Sequence, residues 1–95
     1  MNYILLSTDG PISLYEVPDR IANKLTEYCV EFCDWVQNSP KSKKFRKGYF
    51  PEEEFINYLN TVVNPRHPHK ARWLKTFGYW DEVPEEYKDL PYFNF

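Results

Sequence analysis

Two different periods of apolar and polar positions run along the chain, and the change from one to the other separates strands from helices. Residues 3–6 (YILL) are apolar without interruption, residues 7–10 (STDG) are small or polar, and from Ile12 the pattern alternates. This predicts two short strands, residues 3–7 and 12–16, reversing through Asp9-Gly10, whose types suit a tight turn. In the second strand Ile12 and Leu14 fall on one side and Ser13 and Tyr15 on the other. The first strand is apolar on both faces and is therefore expected to be the more buried.

After Pro18, a residue suited to a first helical turn, the period lengthens. Ile21, Leu25, Cys29, Phe32 and Val36 recur every three or four residues, with Ala22 and Cys33 widening the stripe. That spacing predicts one helix over residues 18–38, ending before Pro40. Residues 41–50 read as a loop or a third, edge-like strand, because Phe45 and Tyr49 stand among lysines and charge discourages edge-to-edge pairing. A second helix is predicted from Pro51 to Asn64-Pro65. Glu52, Glu53 and Glu54 occupy its first turn, where the helix dipole favours negative charge, and Phe55, Ile56, Leu59, Val62 and Val63 form its apolar face. Ala71, Leu74 and Phe77, three apart and followed by Gly78, predict a short third helix over residues 68–77. The remaining segment, with three aromatics in its last four residues, is expected to lie irregularly across the core. The fold class expected is α+β: an N-terminal hairpin packed with two main helices and a short third one, in a single domain.

Composition changes this picture in one respect. Eighteen of 95 residues are aromatic (three Trp, eight Tyr, seven Phe), more rings than one small core is expected to enclose. Part of them should form a contact surface. Neither a signal peptide nor a membrane span is expected from the short apolar run near the start, which implies a cytoplasmic protein with reduced cysteines.

The formal charge of −2 conceals a segregation. Residues 1–40 carry two basic and six acidic side chains, residues 41–75 nine and three, and residues 76–95 one and five. The basic middle is Lys41, Lys43, Lys44, Arg46 and Lys47, then Arg66, Lys70, Arg72 and Lys75, interleaved with Phe45, Tyr49, Phe50 and Trp73. Cations alternating with rings suit single-stranded nucleic acid, a nucleotide or another polyanion. Against this stands an isoelectric point near 5.6.

The segments YILLSTDGPISLYEVP, EYCVEFCDW, EEEFINYLN and LPYFNF together resemble a group of small proteins encoded on conjugative elements and phages of gut bacteria. The resemblance spans nearly the whole chain but rests on no catalytic motif, and the group brings no activity or binding residues to carry over. It implies a mobile-element setting, in which small accessory proteins act by binding a host or defence component.

Catalytic chemistry finds little support in the residue types. The three glycines are isolated, so no phosphate-binding loop is present, and neither histidine has a carboxylate or nucleophile beside it in sequence. Cys29 and Cys33, with His67 and His69, supply the right number of ligands for a small zinc site. The spacing is weak, because both thiols fall in or beside an apolar helical stripe, and core thiols are the expected reading. No cofactor and no enzymatic activity are expected. The favoured function is protein contact, with a host defence component or a second copy as partner, anchored by rings and cations outside the main stripes: Trp35, Arg46, Tyr49, Arg72, Trp73 and Trp80. The polyanion and zinc readings stand as alternatives.

Overall fold

The computed structural model describes residues 1–40 and 51–95. Strands β1 (Asn2–Ser7) and β2 (Ile12–Val17) form the predicted antiparallel hairpin. Helices α1 (Asp19–Asn23) and α2 (Leu25–Asn38) follow, then α3 (Pro51–Tyr58), which continues through a wider π turn, Leu59–Val63. Strand β3 (Arg72–Gly78) pairs antiparallel with β2, and a three-residue strand β4 (Tyr92–Asn94) pairs parallel with β1. The order across the sheet is β3-β2-β1-β4. The fold is thus α+β, with a mixed four-stranded sheet, two main helices and a short third helix.

The hairpin register places Ile4 opposite Tyr15 and Leu5 opposite Leu14. Ile4, Leu6, Tyr15 and Val17 therefore point to one side of the sheet, where they pack with Ile21, Leu25, Cys29 and Phe32 of the first two helices and Phe55 and Leu59 of the third. Leu5, Ile12 and Leu14 point to the other side, covered by Val83 together with Leu74, Phe77, Tyr87 and Leu90. Ile4, Leu5 and Leu6 are all fully buried, which is why the YILL run shows no alternation. Burial on that scale contributes about 1.5–3 kcal/mol per side chain.

Rings close the helical side. Phe32 on α2 stacks edge-on against Phe55 of α3 at 5.6 Å and against Phe95 at 6.0 Å, while Phe55 and Phe95 stand 5.5 Å apart. The last residue of the chain thereby joins both helices. Its amide donates to Ser7 O at 2.9 Å, continuing the β4 ladder, so the segment expected to be irregular ends in sheet.

Two further expectations change. The predicted helix over residues 18–38 is broken at Lys24, whose φ of −131° and ψ of 38° are not helical. No glycine or proline marks the break, and both halves keep their apolar stripe inward. The loop or third, edge-like strand expected at residues 41–50 lies outside the described residues.

The second change is the larger: residues 72–78 are a strand, not the end of a helix over 68–77, and the short helix of the fold is α1. The β2–β3 register slips twice, between Ile12 and Ser13 and between Leu14 and Tyr15. Those slips fall at Phe77 and Leu74, so two residues three apart turn to the same side of the sheet. A helical spacing is thus reproduced by a doubly bulged strand. Gly78 ends it with φ of 119°, a left-handed value, and a Cβ there would run into the carboxylate of Glu82, which accepts from the Tyr79 amide at 2.8 Å.

Asn60 ties the π turn to the start of β3. Its Oδ1 accepts from the Ala71 amide at 2.8 Å and its Nδ2 donates to Ala71 O at 2.9 Å, as a neighbouring strand would. Replacing Asn60 with Ala leaves the buried Ala71 backbone without these partners and is expected to cost about 1–3 kcal/mol in urea unfolding. A loss below about 0.5 kcal/mol, the level of an ordinary surface change, would show that the clamp is dispensable.

Candidate functional site

The β1–β2 turn is the structural centre of the site. Asp9 holds a left-handed φ of 52°, a conformation that aspartate tolerates better than most residues. The turn is fixed from outside by Asn94 of β4. Asn94 Oδ1 accepts from the Asp9 amide and from Ser7 Oγ, and Asn94 Nδ2 donates to Asp9 Oδ1, each at 2.8 Å. With its proton committed to Asn94, Ser7 Oγ accepts from the Tyr92 hydroxyl, also at 2.8 Å. The parallel strand thus positions both the turn and the Tyr92 ring.

A cleft opens on each flank of this turn. The first, about 300 Å³, is lined by Asp9, Gly10, Tyr79, Trp80, Tyr92 and Asn94 among others. Trp80 packs on Tyr92 with ring centres 5.6 Å apart, and Lys88, paired with Glu85, lies 6.0 Å from the Trp80 ring centre. The second cleft, about 280 Å³, lies between the turn, α3 and β3. Thr8 and Pro11 line it from the turn, Ser13, Tyr15, Trp73 and Thr76 from the sheet, and Glu52 and Glu53 from the first turn of α3. Here Thr76 Oγ1 receives the Trp73 indole N–H at 3.1 Å and lies 2.7 Å from Ser13 Oγ.

Four rings around the turn are strongly exposed: Trp73 at 56%, Tyr79 at 64%, Trp80 at 43% and Tyr92 at 40%. The expected anchors Trp73 and Trp80 belong to this set. Arg72 is also exposed, but its Nε is engaged by Glu16 at 3.2 Å. Trp35 lies elsewhere: it is partly buried against the helical core, 5.0 Å from Tyr58, and does not join the others. Arg46 and Tyr49 lie outside the described residues. Tyr79 and Tyr92 stand outside the expected anchor set, and Tyr92 is exposed although its segment is expected to lie across the core.

The polyanion residues are not gathered into one groove among the described residues. Lys41, Lys43, Lys44, Arg46 and Lys47 fall outside them. Of the rest, Lys70 donates to Pro65 O at 2.8 Å, Arg72 is paired with Glu16, and Lys75 lies 5.5 Å from the centre of the Phe77 ring. Arg66 is not among the residues lining the Trp73 cleft, which Glu52 and Glu53 border instead.

The four zinc candidates are not brought together either. Cys29 is fully buried, whereas His67 and His69 line a surface cleft with Arg20 and Asn64. Among the described residues no three His, Cys, Asp or Glu side chains converge on a common metal position. Burial first, and the neighbouring Cys33 second, push the Cys29 thiol far above its ordinary range, and burial raises Cys33 as well. Protonated thiols are poor nucleophiles and poor ligands. No described helix is long and apolar enough to cross a membrane.

Among the described residues Glu52 carries the one strongly displaced carboxyl. Burial, followed by the charge of Glu53, pushes it up to about 7. The folded protein therefore holds a proton that the unfolded chain has released, and stability falls as pH rises from about 4.5 to about 7. Glu52→Gln removes that loss. Its urea midpoint relative to the parent should be lowest at the acid end of this window, rise through it, and level off above. A difference that does not vary with pH would mean that Glu52 titrates as an ordinary surface carboxylate. No family model, no curated protein and no solved structure matches the chain.

Proposed function

We propose that the protein is a non-enzymatic binding protein that acts by contact with another polypeptide, through the end of the molecule that carries the β1–β2 turn. The concentration of exposed rings there supports this reading. Among the described residues eight large apolar side chains are exposed, and four of them, Trp73, Tyr79, Trp80 and Tyr92, surround this one turn. Tyr and Trp are the residues that most often anchor protein contacts, because a large rigid surface is buried at low entropic cost. Their backbone is already fixed, by the Asn94 clamp and by the Gly78 corner, so little ordering is left to be done on association.

Charge favours a basic polypeptide over a phosphate backbone. Asp9 and Glu53 border the clefts with no ion pair among the described residues, and Glu52 adds a carboxyl that burial leaves only partly ionised at neutral pH. A phosphate chain would be repelled there, while lysine and arginine side chains would be attracted. In the mobile-element setting implied by the sequence resemblance, the partner is a host component or part of its defence.

Trp80→Ala and Tyr79→Ala should each weaken partner capture by about 2 kcal/mol, roughly thirtyfold, while thermal unfolding stays nearly unchanged. Trp35→Ala should do the reverse and lower the melting temperature, since its ring packs on Tyr58. Photo-crosslinkers placed at position 79 in the producing cells, with position 30 on α2 as control, identify the partner by mass spectrometry. If Trp80 and Tyr79 variants lose capture only in proportion to lost folded protein, these rings serve stability and the contact reading fails.

A further inference from the structure

The open end of the hairpin carries a cleft of another kind. Asn2 pairs with Val17, and Met1 and Pro18, just beyond that pair, open onto a space of about 440 Å³ that Arg20 of α1 and Asn64, His67 and His69 also line. It therefore lies at the far end of the hairpin from the β1–β2 turn. The polar groups in it hold one another in place. Arg20 Nη2 donates to Asn64 Oδ1 at 3.0 Å and the His67 amide donates to Asn64 O at 3.2 Å, so one asparagine positions both a guanidinium and an imidazole. The His67 ring is oriented in turn by its Nδ1, which stands 2.7 Å from His69 O, and the two imidazole rings are 6.2 Å apart. So short a separation from a carbonyl oxygen places a proton on Nδ1 and leaves Nε2 available. Charge in the cleft is one-sided. The carboxylate on its wall, Asp19, is paired with Met1 N at 3.2 Å, whereas Arg20 has no carboxylate partner among the described residues and is held by a neutral amide.

We propose that this cleft binds a phosphate group, free or as a small monoester, between the Arg20 guanidinium and the imidazoles of His67 and His69. Arg20 supplies the fixed charge. A guanidinium presents a fork of donors that matches two phosphate oxygens, and only one of its N–H groups is spent on Asn64. His67 supplies the exchangeable proton. A phosphate monoester loses its second proton near about pH 6, in the range where an imidazole also titrates, so Nε2 either takes that proton or, already carrying it, donates to a phosphate oxygen. Carboxylate and sulfate have no proton to share at neutral pH, which is why the pairing favours phosphate. The space is larger than either cleft at the hairpin turn, about 300 and about 280 Å³, and leaves room for a short organic group on the phosphate. The site is separate from the contact surface proposed above and does not rest on it.

The probes are inorganic phosphate and glycerol 1-phosphate, with sulfate as control, at constant ionic strength on the labelled full chain. Both phosphates should shift the ring cross-peaks of His67 and His69 saturably, with a Kd of about 1 mM for so small a ligand, while the Trp73 indole peak stays in place. Sulfate should bind several-fold more weakly. Tighter binding of the ester identifies an organic phosphate as the ligand, and equal affinity identifies phosphate itself. Arg20→Gln should weaken binding at least about tenfold, as the loss of a charged fork requires. Asn64→Asp is the sharper variant, because it keeps an acceptor for Arg20 but sets a carboxylate against the guanidinium, and it should weaken binding about as much. No saturable shift with either phosphate, equal affinity for sulfate in the parent protein, or unchanged binding in either variant would overturn the proposal.

Discussion

Strand β1 is apolar on both faces and bonded along both edges, and the remaining elements are arranged to satisfy it. Ile4 and Leu6 require a cover on one side and Leu5 on the other. The helices provide the first cover. The second cover is the segment after β3, two single-turn 3-10 helices pinned by Val83, Tyr87 and Leu90. Returning from that side, the chain must pass the free edge of β1, and it pairs there as the parallel strand β4. The site follows from this path. β4 brings Asn94 and Tyr92 to the hairpin turn, and the exit from β3 brings Tyr79 and Trp80 to the same place.

Much of the fold was legible in residue order. The hairpin was legible because an unbroken apolar run, a polar tetrad and an alternating run leave little choice of structure. Both main helices were legible because Ile21, Leu25, Cys29 and Phe32, and then Phe55, Ile56 and Leu59, keep a helical period over several turns. The break at Lys24 was not legible, since no residue there opposes a helix. Residues 71–77 were misread because two bulges in β3 put Leu74 and Phe77 on one face, which is the spacing a helix would show. The signal overlooked was the type of the residues: Trp73, Thr76 and Phe77 favour strands.

The site was legible only in part. An excess of rings predicted an exposed aromatic surface, and Trp73 and Trp80 were within it. Trp35 was not, because a ring just off a helical stripe is still covered when a second helix crosses over it, as Tyr58 of α3 does. The acidic cavity was hidden for a different reason. In the sequence Glu52 and Glu53 are an ordinary first helical turn, and only the approach of the hairpin turn to α3 encloses Glu52 in a cleft that Thr8 also lines. Long-range placement of this kind leaves no local pattern in a sequence.

The central claim is that the turn and its two flanking clefts form one contact surface. Hydrogen exchange of backbone amides, compared between the free protein and its complex with the captured partner, tests it most directly. Slowed exchange should concentrate at residues 8–11, along residues 73–80 and near Tyr92, with the outer surface of α1 and α2 unchanged. Protection confined to that helical surface, or to the cleft around His67 and His69, would contradict it.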